Sequence, residues 1–343
     1  MFVRKKTLII LSLIFFIVAV TFLILGFKAQ QRPVSFAPSI DNQNQIQKIV
    51  KKTYPADLKG KIYLSLLNKD TQNRGIYYLD LALGELKEVH VSQNCIVVGG
   101  GMDSTGSKMA VSSNCETENS TVFQIYASDI NKNSTAITKS LTDFKKEAVW
   151  SPDNKRIAFS VASPEAKNDP DPALNIHTWD IFTSDLEGNE QFVANAVHPF
   201  FSPDGKKILA LRKQGLFLFN VETGEGELVY TFETDMQASM HLGLSDQKDQ
   251  LAVSDPYDRS ITIFKIKSWD TFEMEETQRI ETENSYASWP KFAPDGQKYL
   301  ITQDVFDDQS VKIVAYNLET KERHFVFDLS EYIDANMWIN DWK

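Results

Sequence analysis

Serine and aspartate recur two residues apart, with proline between them, at Ser151-Pro152-Asp153 and Ser202-Pro203-Asp204. A hydroxyl near a carboxylate is raw material for nucleophilic catalysis, in which a base takes the hydroxyl proton before attack on a carbonyl. Repetition argues for a different use. Aspartate at a turn accepts local backbone N–H bonds and proline presets φ, so these residues build turns. No Gly-x-Ser-x-Gly elbow is present, and no second domain is expected after the repeats to hold one. A serine peptidase is therefore not the expectation. The five histidines, His90, His177, His198, His241 and His324, include no His-Glu-x-x-His pair and no carboxylate at zinc-ligand spacing. No metal and no cofactor are expected.

The two cysteines, Cys95 and Cys115, flank the turn Asp103-Ser104-Thr105-Gly106. Facing residues of an antiparallel hairpin keep a constant midpoint, and the midpoint of this pair is residue 105, inside that turn. They are expected to face each other at bridging distance and to pair in an oxidising compartment.

The elements that carry these residues repeat. Trp150-Ser151-Pro152-Asp153-Asn154-Lys155-Arg156-Ile157-Ala158-Phe159 has close copies at Phe201–Ala210 and Phe292–Ile301, and weaker copies at Met102–Val111 and Leu244–Val253. The period is roughly 43 to 51 residues, the range of propeller blades. Each copy reads as an apolar strand, a turn, and a second strand rich in Ile, Leu, Val and Phe. Further strands follow in each unit, as in Trp179–Asp185 and Gln191–Val193, or Leu216–Val221 and Glu227–Tyr230, giving the four strands of a blade. The chain ends supply two halves of one more blade. Lys61–Leu67, Ile76–Leu81 and Glu85–His90 lack a first strand, and Asn336–Trp342 is a first strand without followers, with Trp338 aligned to Trp150, Phe201 and Phe292. Pairing of Trp338–Trp342 beside Lys61–Leu67 would close a ring of six blades and leave no open sheet edge. The predicted fold is an all-β, six-bladed propeller over residues 61–343.

The Trp/Phe-Ser-Pro-Asp-Gly-x-x-Ile-Ala/Leu pattern resembles the repeats of TolB-like propellers, the family that includes the periplasmic partner of the Tol–Pal envelope system. The resemblance covers about residues 61–343 and implies a protein-binding propeller in the cell envelope. The same repeat occurs in the propeller domains of prolyl-oligopeptidase-type enzymes. This sequence departs from the periplasmic member in its N-terminal apolar run and in having no evident separate α/β domain. Ser202-Pro203-Asp204-Gly205 is also similar to the Asp-box turn of sialidase propellers. It lacks the following Trp, and no arginine constellation for a carboxylated sugar accompanies it.

Thr7 to Phe27 is an uncharged run of 21 residues, long enough to cross a bilayer core of about 30 Å as a helix. Arg4, Lys5 and Lys6 precede it and favour a cytoplasmic N-terminus, which places the propeller on the extracytoplasmic side. A cleaved signal peptide is the rival, but its apolar core is usually only about 7–15 residues. Residues 1–28 are therefore expected to be a cytoplasmic stub and transmembrane anchor. Residues 29–60, rich in Gln, Asn, Ser and Pro, read as a linker with a short helix near Asn44–Lys52 that ends before Pro55. The chain carries a net charge of −10. Arg4, Lys5, Lys6 and Lys28 are four positive charges with no acid among residues 1–28, which leaves −14 on the remainder. An acidic ectodomain of this kind repels phosphate backbones and makes nucleic acid an improbable partner.

Connections between second and third strands share one face of such a disc, and the Ser-Pro-Asp turns lie on the other. Ser163–His177, Asp255–Ser260 and Asp304–Gln309 are stiff or acidic connections of the first kind. Binding is expected there, at Asp171, His177, Tyr257, Arg259 and Asp307. Neither acidic loop fits an EF-hand, so solvated loops rather than calcium sites are expected. His198 and His241 each precede an inner strand. Packing at the blade entry is the expected role, and facing a channel ligand is the rival one. The leading reading is a monomeric, membrane-anchored, non-catalytic scaffold for a protein or peptide in the envelope. The alternatives are a channel-site glycan-acting lyase or hydrolase, and a purely structural assembly subunit.

Overall fold

Apolar bursts between turn signals become strands throughout the folded part. The computed structural model describes residues 46–49, 53–67, 74–92, 95–115, 122–129, 134–139, 143–162, 179–212, 215–232, 240–255, 258–294, 296, 298–329, 332 and 338–343. The expected transmembrane run Thr7–Phe27 and the loop Ser163–His177 lie outside these residues. Four complete blades follow one plan. They are β5 to β8 (Val97–Met102, Lys108–Ser113, Gln124–Asp129, Ser134–Ala136), after β1 (Ile46–Ile49), β2 (Lys61–Leu67), β3 (Arg74–Asp80) and β4 (Glu85–Ser92); then β9 to β12 (Lys145–Trp150, Arg156–Ala162, Trp179–Asp185, Glu190–Asn195), β13 to β16 (Val197–Phe201, Lys207–Arg212, Gly215–Asn220, Gly226–Tyr230) and β17 to β20 (His241–Leu244, Gln250–Asp255, Ser260–Ser268, Glu273–Glu281). A fifth has β21 to β24 (Ser285–Phe292, Tyr299–Phe306, Val311–Asn317, Arg323–Asp328), and β25 (Trp338–Trp342) ends the chain. Neighbouring strands in every blade are antiparallel.

The sixth sheet closes the ring in the order β1-β4-β3-β2-β25. As expected from the half-blades, β25 lies beside β2. One detail differs from the expected repeat register. Ile62 pairs with Trp342, as Ile157 pairs with Trp150, Ile208 with Phe201 and Leu300 with Phe292. Trp342, not Trp338, therefore holds the repeat position, because register is fixed by the partner strand and both tryptophans suit an inner strand equally well. The short helix expected near Asn44–Lys52 is also replaced. Ile46–Ile49 is a strand on the outer edge of β4, where β-branched residues are at home and cover an otherwise open edge. The folded body starts ahead of Lys61 as well. Leu58 is 1% exposed and, with Tyr54, joins the cluster of the first and last blades. Tyr54 Oη donates to the Leu81 carbonyl at 2.9 Å.

The core consists of layers between blades rather than one centre. On β14, Ile208 and Ala210 pack toward the preceding blade with Phe201, Ile181 and Val193. Leu209 and Leu211 pack toward the following one with Leu251, Val253 and Phe264. Both faces of each sheet are covered, which is why the strands read as nearly continuous apolar runs instead of alternating ones.

The Ser-Pro-Asp turns are structural. Ser151 Oγ donates to Asp153 Oδ1 at 2.6 Å and accepts the Arg156 N–H at 2.9 Å. Ser202 repeats this with Asp204 and Lys207 at 2.7 and 2.9 Å. Both hydroxyls are buried and consumed by the turn.

Cys95 and Cys115 form a disulfide with Cα atoms 5.0 Å apart. The pairing of Val97 with Ser113 and Val98 with Ser112, extended outward, brings the two cysteines opposite each other, as their midpoint required. For a sequence separation of 20, loop-closure entropy gives about 3 kcal/mol of stabilisation. Oxidised protein is expected to be more stable than the Cys95→Ser/Cys115→Ser double variant by that amount, read as a higher denaturant midpoint at equal m. Equal midpoints would refute the expectation.

Candidate functional site

The inner strands line a central channel, and their backbones are irregular there. Register slips by one residue against the second strand in β5, β9, β13, β21 and β25, and the extra residue sits on the inner strand each time. β17 has no slip. A bulge of this kind re-aims a side chain. In three blades the bulge holds a non-glycine residue in the left-handed region, Glu147 at φ 57°, His198 at φ 56° and Trp289 at φ 54°. Such a conformation costs about 1–2 kcal/mol per residue, and backbone strain of this type collects at functional sites. The three residues are equivalent. Each lies three positions before the inner-strand aromatic, Trp150, Phe201 or Phe292. The same position is Gly99, His241 and Ile339 in the other blades, counted from Met102, Leu244 and Trp342.

Gly99, Glu147, His198, Trp289, Lys291 and Asn340 are among the residues around a cavity of about 50 Å³ in this channel. Glycine keeps it narrow, since a Cβ on Gly100 would stand 2.2 Å from the Ala148 carbonyl oxygen of the next inner strand. Glu147 Oε2 lies 3.3 Å from His198 Nδ1 and accepts the His198 N–H at 3.2 Å and the Ser160 hydroxyl at 3.0 Å. Its Oε1 is 3.1 Å from Lys146 Nζ. Burial pushes the Glu147 carboxyl up, but the neighbouring positive charge and these hydrogen bonds outweigh it and hold the group well below the ordinary carboxylate range. Burial holds the His198 imidazole below its usual 6.5 against the pull of Glu147, and the ring also hydrogen-bonds the Met240 carbonyl. His198 and then Lys146 are the positive neighbours that favour the ionised form of Glu147. The His241 ring packs on Trp289 with centroids 3.9 Å apart, and His198 stands 5.3 Å from His241.

No Ser, Thr, Cys or Tyr side chain is among the residues lining the cavity; its charged and titratable groups are Glu147, His198 and Lys291. Among the described residues no group of three or more His, Cys, Asp or Glu could hold a metal ion.

No protein-family model matches the sequence, and no curated protein does either. Solved structures do. TolB from Acinetobacter baumannii superposes with a TM-score of 0.61 at 17% identity, covering 84% of this chain and 67% of that one. A putative TolB from Agrobacterium tumefaciens gives 0.53 at 12%, covering 82% and 92%. The fold is that of the TolB-like six-bladed propellers. An oligogalacturonate lyase in complex with manganese shares it too, with a TM-score of 0.54 at 12% identity over 81% and 84% of the two chains. A TolB-like propeller fold is thus compatible with both a binding and an enzymatic use.

Of the binding residues expected from sequence, Asp171, His177 and Tyr257 lie outside the described residues. Arg259 and Asp307 are brought together, but with each other. Arg259 donates to Asp307 at 2.8 Å and to the Tyr286 hydroxyl at 2.8 Å, with its guanidinium 4.5 Å from the Tyr286 ring centre. This clasp joins the second-to-third-strand connections of two adjacent blades, so both lie on one face. The connection after β22 is shorter than expected. Asp304 belongs to the strand and is fully buried, because hydroxyl donors inside the blade satisfy it. His198 is among the residues around the cavity, while His241 packs on Trp289 beside it. Glu147, Trp289, Lys291 and Asn340 carry no motif that marks them in the sequence. Their one signal is the fixed offset of three residues before the repeat aromatic, which the turn motif overshadows.

Proposed function

We propose that this chain is a non-catalytic scaffold that binds a protein or peptide in the cell envelope, held at the membrane by residues 7–27 with the propeller outside the cytoplasm. The observation that carries this reading is the ring of repeat-equivalent inner-strand positions. It gathers Glu147, His198 and Trp289 around a narrow channel, with His241 packed on Trp289, and offers no hydroxyl or thiol side chain. Likeness in fold to TolB proteins supports it. A channel-site enzyme acting on a glycan is the alternative, kept in view by the lyase with the same fold. The size of the cavity weighs against it. At roughly 10–15 Å³ per water by this measure, about 50 Å³ takes a few waters or one side-chain tip, and encloses no sugar ring.

In this reading the partner approaches the face that carries Asp171, His177, Tyr257, Arg259 and Asp307, where the channel opens between the starts of the inner strands. A photoreactive amino acid in place of Tyr257, in the full chain in its own membrane, is expected to give a protein adduct, and one in place of Asp204 is not. The Asp171→Ala/Arg259→Ala/Asp307→Ala variant is expected to lower that adduct about tenfold with an unchanged melting curve. Adducts from the Asp204 position alone, or from neither, would refute the face. Turnover of a polygalacturonate by the purified chain would favour the enzyme.

A further inference from the structure

Among the described residues one buried donor in the channel, Asn340 Nδ2, is left without an acceptor, and the half-buried Lys291 has no ion pair. Asn340 is 3% exposed, and its Nδ2 has no hydrogen-bond partner. The amide orientation is set by a chain of bonds. The Gly99 N–H donates to Ser65 Oγ at 3.0 Å, so the Ser65 hydroxyl proton is free to point at Asn340 Oδ1, 3.0 Å away. That leaves the Asn340 NH₂ group buried against Gly99, and both residues line the cavity. Lys291 lines it as well. The carboxylates whose fields reach this ammonium, Asp341 and Glu147 among them, are engaged elsewhere. Asp341 accepts the Met102 and Trp342 N–H groups at 2.7 and 2.9 Å, and Glu147 accepts from Ser160 and His198 through Oε2, while its Oε1, 3.1 Å from Lys146 Nζ, makes no hydrogen bond. Burial depresses the Lys291 ammonium below its ordinary value, against the pull of Asp341.

A buried donor without an acceptor costs about 1–3 kcal/mol, and more when charged. A ligand that brings an acceptor of opposite charge removes the Asn340 penalty and pairs with the Lys291 ammonium. The geometry points to a carboxylate as the group this channel receives, a peptide Asp or Glu side chain or C-terminus that accepts from Lys291 Nζ and Asn340 Nδ2. Planar and acceptor-only, a carboxylate matches two donors from one side. The cavity of about 50 Å³ suits a carboxymethyl group, and Trp289 and Val149 supply apolar walls for its methylene. The inference rests on the scaffold reading, since it names the chemistry by which that site takes its partner.

The test needs no partner. The full chain, labelled with 5-fluorotryptophan, is followed by fluorine NMR, and the Trp289 signal is assigned by its loss in Trp289→Phe. Acetate, the probe for a peptide carboxylate, is titrated at constant ionic strength made up with sodium chloride, beside acetamide and galacturonate. Acetate is expected to shift the Trp289 signal saturably, and acetamide is not. Lys291→Gln is expected to weaken acetate at least tenfold, the range of a charge-assisted hydrogen bond. Lys291→Met repeats the test if the first variant melts early. Equal responses to acetate and acetamide, or wild-type affinity in a folded Lys291 variant, would overturn the proposal. Tighter binding of galacturonate than acetate would overturn the peptide source in favour of a sugar acid. Photoadducts at the Tyr257 position with no acetate response would remove this inference and leave the scaffold reading standing. An acetate response with no adducts would do the reverse.

Discussion

A chain that ends before Trp338 is expected not to yield a stably folded propeller. β25 supplies the inner strand of the closing blade, and nothing else in the sequence can replace it. Ile62, Tyr63, Leu64 and Ser65 would lose their partners, and the Lys61–Lys343 pair of backbone hydrogen bonds would go with them. Trp342, 2% exposed, fills the seam between the first and last blades and donates its indole N–H to the Lys59 carbonyl at 2.9 Å. Trp342→Ala alone is expected to cost about 3–5 kcal/mol, the range for removing a buried aromatic side chain. Deletion of residues 338–343 adds an open sheet edge and bare apolar faces, so aggregation or loss of the cooperative melting transition is the expected result. Circular dichroism melts of the intact, Trp342→Ala and truncated propellers decide it. A truncated protein with the melting temperature of the intact one would show that the ring does not depend on this closure.

That closure is legible in the sequence because it is a matter of counting. The repeat announces itself by a large apolar residue, an Asp-containing turn and an apolar strand, and the two chain ends lack complementary pieces. The disulfide is legible for the same reason, since Cys95 and Cys115 are symmetric about one turn. What the sequence conceals is what neighbouring strands decide. Trp338 and Trp342 look equally suited to the repeat position, and only pairing with Ile62 chooses between them. Asp304 reads as part of an acidic loop. Its exposure depends on where β22 stops and on the hydroxyls that surround it, and neither follows from local composition.

The channel residues are hidden by the bulges. A regular strand alternates its side chains between faces, so a residue three positions before Trp150, Phe201 or Phe292 should share the face opposite to that aromatic, toward a neighbouring blade. One inserted residue and a left-handed φ at Glu147, His198 and Trp289 break that parity and turn these side chains toward the axis. Sequence periodicity assumes regular backbone, and the bulged channel wall is where that assumption fails.

Asp304 leads to the other large expected effect. Its carboxylate is fully buried in the last blade and accepts from three hydroxyls, Thr302 Oγ1 on Oδ1, and Ser285 Oγ and Tyr316 Oη on Oδ2, the latter two at 2.7 Å each. Asp304→Ala removes the common acceptor and strands donors that water cannot reach. At about 1–3 kcal/mol for each unsatisfied group, a loss of roughly 3 kcal/mol or more is expected, far above what an exposed loop aspartate would show. Tyr316→Phe is expected to cost about 1–2 kcal/mol. The two losses should be sub-additive, because the second deletion no longer strands anything. The pH dependence has a definite sign. Burial raises the Asp304 carboxyl above 3.8, outweighing the hydrogen bonds that favour its ionised form. The folded state therefore binds this proton more tightly than the unfolded chain does. The stabilisation from that proton is complete below the unfolded value and is lost as pH rises from 3.8 through the raised folded value. Asp304→Ala should accordingly cost more near pH 4 than near pH 7, as read from urea unfolding of the two proteins across that range. A cost that shrinks on acidification, as for an ordinary salt-bridged aspartate, would mean that the network holds the carboxylate ionised.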